Sequence, residues 1–134
     1  MVSKIVITAL VLVNCYCLSE LWNIIIPIST VDHKEKTISE LHGEFRINKE
    51  MAKGIYIASE ANGINPKLYA HLVKSESEFK LHAVSNKGYK GLSQTPTATW
   101  RAKTDLMHGA EILKEKLIES RGDMEEALTR YKGG

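Results

Sequence analysis

A mostly α-helical single domain, of about five helices with an irregular loop lining a cleft, is the fold class this sequence predicts. Three observations carry it. The chain has 134 residues, enough for one domain with one modest core. From Thr37 onward, apolar residues recur at three- and four-residue steps, and each such stretch is bracketed by a capping residue or a glycine. After residue 30 there is no strand-like run, internal repeat or low-complexity tract, while Lys80 to Gly91 is too rich in Gly, Ser, Asn and Lys for a packed helix.

Residues 1–19 carry a basic start at Lys4, an apolar run from Ile5 to Val13, and small residues at Cys17 and Ser19. That order resembles a secretory signal peptide cleaved near Ser19. The alternatives are a buried N-terminal helix, or a membrane anchor extended by the apolar stretch Leu21 to Ile28. The first apolar run is too short to span a bilayer, and Asn14, Glu20 and Asn23 interrupt any longer one, so export to the periplasm or the extracellular space is the favoured reading. Cys15 and Cys17 both lie ahead of this boundary, so the processed chain carries no thiol and no intramolecular disulfide.

Residues 20–46 read as a linker with a possible short helix. Pro27, Ser29 and Thr30 punctuate the chain ahead of a charged, solvated segment, Asp32 to Lys36. Thr37 with Glu40 then fits a capping box, followed by Ile38, Leu41 and Phe45 at helical spacing with Gly43 as an interruption. The main domain is expected over 47–134. Asn48 is placed to cap a helix with Met51, Ile55 and Ala58 on one face and Gly63 as its stop. Asn65 and Pro66 open the next helix, whose stripe of Leu68, Leu72 and Val73 leads to Glu76. Thr104 is read as the cap of a longer helix burying Leu106, Ala110, Leu113 and Leu117, with Gly109 permitting close approach of a neighbour. Gly122 and Asp123 end it and cap a last helix that points Ala127, Leu128 and Tyr131 inward.

Charge and motifs exclude several classes. The formal charge is +2, and Lys4 is the only charged residue ahead of Glu20, so loss of residues 1–19 leaves +1. A near-balanced chain of this kind does not read as a nucleic-acid binder. His33, His42, His71, His82 and His108 show no metal-ligand spacing and there is no HExxH, so neither a metal nor another cofactor is expected. No nucleophile elbow or phosphate loop occurs.

What remains is a carboxylate, Glu76, at the end of an apolar-faced helix, opposite a polar Gly-rich loop. A poorly hydrated site raises a carboxyl pKa, which makes such a group a plausible proton donor. Leu72, Val73 and Phe79 are candidates for the apolar wall. Glu78 belongs to another face, Asp105 stands at a helix start where it complements the dipole, and Glu111 and Glu115 look solvated, so no second carboxylate stands out. Taken singly, Ser85 is as well read as a turn-former, Gln94 as a capping side chain and Tyr131 as a half-buried aromatic.

Together these residues form three motifs in order. Glu76, Ser77, Phe79 and Ser85 give a Glu-Ser pair with an aromatic two residues on and a Ser nine residues after the Glu; Gly91, Leu92 and Gln94 give a Gly-Leu-x-Gln turn; Ala127, Leu128 and Tyr131 give an Ala-Tyr type close. The set resembles the lytic transglycosylases with a goose-lysozyme-like catalytic domain, which cleave the glycan strands of peptidoglycan, and it covers about residues 47–134. The resemblance implies a lysozyme-like fold, with Glu76 as general acid and then base, and Ser77, Ser85, Gln94 and Tyr131 as substrate-binding residues. It also implies cleavage of the bond between N-acetylmuramic acid and N-acetylglucosamine with formation of a 1,6-anhydro product. A monomer is expected, and small size without a wall-binding module suggests delivery by a secretion or envelope assembly. Hydrolysis by a lysozyme and a non-catalytic glycan-binding module are the alternatives. The resemblance also implies a short helix over Thr95 to Trp100, and the chain departs from the family pattern at Ser93 in place of Met, at Pro96 one position early, and at Lys132 in place of Asn. Relatives usually continue with a further helical segment, so the domain is read as C-terminally shortened.

Overall fold

The computed structural model describes residues 30–133; the expected signal segment and the apolar stretch after it lie outside the described residues. The chain divides into two compact units, Met1–Lys36 and Thr37–Gly134, and the second holds the domain described below. Among the described residues it is mostly helical, with no strand longer than isolated bridges.

Residues 30–45 form α1. The charged stretch 32–36, expected as a linker, is therefore helical, and Thr37 lies inside the helix and does not open it. Nothing between 30 and 42 stops a helix, since no Gly or Pro occurs there, and α1 runs through Gly43 until Arg46 takes a left-handed φ of 53°.

α2 spans Lys49–Ala61, capped by Asn48, whose Oδ1 accepts from the Met51 N–H at 2.8 Å. It closes with the Ile64 N–H donating back to Ser59 O at 2.9 Å, where Gly63 was expected to stop it. α3 spans Pro66–Ser77, with Asn65 Oδ1 accepting from Lys67 and Leu68 N–H and Pro66 in the first turn. α4 spans Ala102–Glu119 and α5 Met124–Gly133, the latter capped by Asp123, whose Oδ1 accepts from the Glu126 N–H at 3.0 Å.

The core sits where α4 packs on α2 and α5, and α2 on α3. Its fully buried large side chains are Leu41, Ile55, Tyr69, Val73, Leu92, Leu106 and Leu113. The buried face of α3 is Tyr69, Ala70, Leu72, Val73 and Ser77, with Leu68 only partly covered, so the aromatic one position later takes the place expected for that leucine.

Gly109 marks the tightest approach. A Cβ there would lie 2.3 Å from the Ser93 side chain and 2.7 Å from the Tyr69 hydroxyl. Gly109→Ala should therefore destabilise the protein by about 1–3 kcal/mol, as overpacking of a filled core does. Gly43→Ala, where a Cβ meets nothing within 4 Å inside a helix, should stabilise by roughly 0.5–1 kcal/mol. Urea unfolding of both variants measures this, and equal midpoints would refute the packing account.

Candidate active site

Glu76 is the penultimate residue of α3. The helix stops because Glu78 and Phe79 take left-handed φ values of 50° and 60°, with the Glu78 N–H closing on Lys74 O at 2.9 Å. Glu76 stays on the last turn, above buried Leu72 and Val73. Burial of its carboxyl raises its pKa above the ordinary value, and the positive charge of Lys132 on α5 works against that rise. Glu78 points to solvent and pairs with Lys80 at 3.3 Å. Ser77 faces inward, and its hydroxyl donates to Val73 O at 3.1 Å, within its own helix.

α3, α4 and α5 are tied together through Ser93, the position where the motif departs from Met. Tyr69, two turns ahead of Glu76 on α3, donates its hydroxyl proton to Leu106 O at 2.6 Å and lies 3.0 Å from Ser93 Oγ. A carbonyl can only accept, so the Tyr69 proton is committed to Leu106 and Ser93 Oγ is the donor to Tyr69. From the other side, Tyr131 donates to Ser93 O at 2.7 Å. Burial pushes both tyrosine hydroxyls well above their ordinary pKa, and the Glu76 charge adds to the rise at Tyr131. The Tyr131 hydroxyl is spent on the Gly-Leu-Ser-Gln turn.

Gln94 follows Ser93 with φ 50°, and its Nε2 donates to Ala83 O at 3.2 Å and Gly91 O at 3.0 Å. Both amide protons are used, which leaves Oε1 as the acceptor the side chain still offers. Ala83 O also takes the Gly91 N–H, so the turn is stitched two residues from Ser85. Ser85 holds a tight loop: its N–H donates to Tyr89 O, and its Oγ accepts from the Tyr89 N–H at 3.1 Å. A hydroxyl that accepts there keeps its own proton to donate.

The segment after Gln94 differs from the short helix expected for Thr95 to Trp100; it is turns and bends. Pro96 is the reason, since it drives the residue before it into extended backbone, and Thr95 accordingly bridges Lys90. Asp105 then gathers this segment. It is 2% exposed, and its Oδ1 accepts from both the Thr99 N–H at 2.8 Å and the Thr99 hydroxyl at 2.9 Å. Asp105 thus does more than complement a dipole. Thr104 is not the cap, because α4 begins one turn earlier, behind Arg101.

Tyr69 and Asp105 are the supporting residues that sequence reasoning passed over. For Tyr69 a signal existed, because Tyr69, Leu72, Val73 and Glu76 repeat the i, i+3, i+4, i+7 pattern of one helix face. For Asp105 there was none, since a carboxylate in a helix's first turn looks alike whether buried or exposed.

Replacing Lys132 by Ala removes the charge that opposes protonation of Glu76, so the Glu76 carboxyl should titrate at higher pH in the variant than in the parent. Because burial raises the folded-state pKa, what Glu76 contributes to stability is present at low pH and lost as pH rises through that pKa, and the variant should lose more. A carboxyl NMR titration checks this; an unchanged or lower midpoint refutes it. Tyr131→Phe leaves Ser93 O without its donor and should cost about 1–3 kcal/mol in urea unfolding, whereas no loss would mean that water replaces the bond.

Two cavities of about 510 and 500 Å³ open elsewhere, one walled in part by Thr97, Thr99, His108 and Glu111, the other by Met51, Ile57 and Leu81. Neither includes Glu76. No curated protein and no solved structure matches the chain. Residues 54–115, which contain Glu76, Ser85 and Gln94, match the family model described as Transglycosylase SLT domain, and this match supports a lytic transglycosylase catalytic domain.

Proposed function

We propose that Glu76 is the single acid and base of a peptidoglycan lytic transglycosylase that cleaves the β-1,4 bond between N-acetylmuramic acid and N-acetylglucosamine. Glu76, protonated in its desolvated position, gives its proton to the leaving oxygen. The resulting carboxylate then takes the proton of the C6 hydroxyl of the same muramic ring as that oxygen closes on C1, giving a 1,6-anhydro sugar. The observation that carries this reading is the Tyr131 hydrogen bond to Ser93 O, which ties the closing motif to the Gly-Leu-Ser-Gln turn, with the Glu76 charge acting on the same tyrosine.

Ser85 and Gln94 form the substrate-binding wall of this reading. Ser85 retains a proton to donate and Gln94 an oxygen to accept, which suits the C=O and N–H of an N-acetyl group. Ser77 and Tyr131 act through what they hold, the last turn of α3 and the Ser93 carbonyl. Peptidoglycan lies outside the cytoplasmic membrane, and we place the enzyme there as a monomer. No helix among the described residues is long and apolar enough to cross a membrane.

Ring closure competes with water by proximity, since a well-oriented intramolecular attacker reaches effective molarities on the order of 10⁵ M. Digestion of purified peptidoglycan should therefore release muropeptides ending in 1,6-anhydro-N-acetylmuramic acid, identified by mass. Glu76→Gln should fold and lose activity by about a hundredfold or more, while Glu78→Gln, altering a solvent-facing pair, should not. Mainly reducing ends would make the protein a hydrolase, and an active Glu76→Gln variant would remove Glu76 from the mechanism.

A further inference from the structure

Trp100 is a large aromatic side chain outside the core. It belongs neither to the hydrophobic core nor to the partly buried apolar side chains that lie against it. Its surface is only partly covered, and its ring meets the exposed His82 with centroids 5.2 Å apart and planes tilted by 40°.

The backbone at Trp100 is held in a left-handed conformation, φ 63°, which a bulky side chain adopts at a cost. Such a residue persists only where its surroundings over-determine it, and strained positions of this kind gather at ligand sites. Here Asp105 supplies the restraint from both sides. Its Oδ1 takes the N–H and hydroxyl of Thr99, and its own N–H donates to Arg101 O at 2.9 Å. One buried residue fixes both neighbours of Trp100 and sets the direction of the indole.

His82 ties the pair to the loop of the motifs. It precedes Ala83, whose carbonyl holds the Gln94 amide and the Gly91 N–H, so the ring pair sits on the framework that carries Ser85 and Gln94. We propose that Trp100 and His82 form a stacking platform for one N-acetylhexosamine ring of the glycan strand, an accessory subsite apart from Glu76. An indole presents the flat apolar surface that the C–H face of a pyranose covers, and its N–H edge and the imidazole nitrogens meet the ring's hydroxyl and amide groups. This proposal rests on peptidoglycan glycan being the substrate.

The test uses the full chain carrying Glu76→Gln, to prevent turnover, and Trp22→Phe, so that Trp100 is the sole indole of the two in the sequence. Soluble glycan strands freed of peptide stems are the probe. Titration should change the Trp100 emission saturably, and Trp100→Ala should weaken binding about tenfold by calorimetry, equivalent to about 1.4 kcal/mol, while Trp100→Tyr, which keeps a flat ring, retains most of it. With Glu76 intact, Trp100→Ala should raise KM and leave kcat nearly unchanged. If Trp100→Ala binds the strands as tightly as its parent, or the emission does not respond while the strands bind, the platform is refuted and the Glu76 reading stands. If the parent protein binds no glycan by calorimetry, the substrate reading fails and the platform with it.

Discussion

Two tyrosine hydroxyls meeting at Ser93 are the constraint on which the rest of the site depends. Tyr69 reaches it from α3, Leu106 and Gly109 back it from α4, and Tyr131 closes on its carbonyl from α5. A buried hydroxyl or carbonyl without a partner is costly, so each bond here forbids the alternatives and the three helices have one relative arrangement around the turn. Glu76 and Gln94 inherit that arrangement, since one follows Tyr69 by two turns on its helix and the other adjoins Ser93 in the chain. A methionine at 93 would bring bulk into the space that Gly109 leaves. The serine replaces side-chain volume by a hydrogen bond, which makes Tyr69 and Gly109 part of the same local solution.

How much of this the chain discloses in advance follows from where the information is held. Asn48, Asn65 with Pro66, and Asp123 each act through hydrogen bonds to N–H groups two or three residues away, so the starts of α2, α3 and α5 are readable from short windows. The position of Glu76 at a helix end was legible for the same reason. α1 was harder, because residues 32–36 are all polar or apolar-poor and offer no face for periodicity to reveal. The segment 95–100 was misread because family resemblance pointed to a helix while Pro96 set the preceding backbone against it. The bonds through Ser93 span 24 and 38 residues, and no local pattern encodes them.

Asp105 shows how one buried carboxylate does the work that regular structure does elsewhere. Gln94, Trp100 and the glycine at 91 all take positive φ, so the segment between the turn and α4 has no repeating hydrogen bonds of its own. Its order comes from side chains: Gln94 to Ala83 and Gly91, and Asp105 to Thr99. Gly91 is needed for the same reason, since a Cβ there would stand 2.9 Å from Ala98 and 3.0 Å from Asp105 Oδ2. The loop is thus irregular without being loose, the condition under which a loop can carry binding groups at fixed positions.

The same balance of opposing terms governs Glu76. An acid that must first give and then take a proton works best when neither form is strongly favoured at the working pH. Burial raises its pKa and so favours the protonated form. Lys132 supplies the counterweight: its charge favours the carboxylate, whereas an asparagine there would offer only a dipole. The lysine therefore does not have to be a loss of the family's chemistry. Tyr131 has committed its hydroxyl to Ser93 and has no proton to spare for Glu76, so Lys132 is the group that favours the carboxylate.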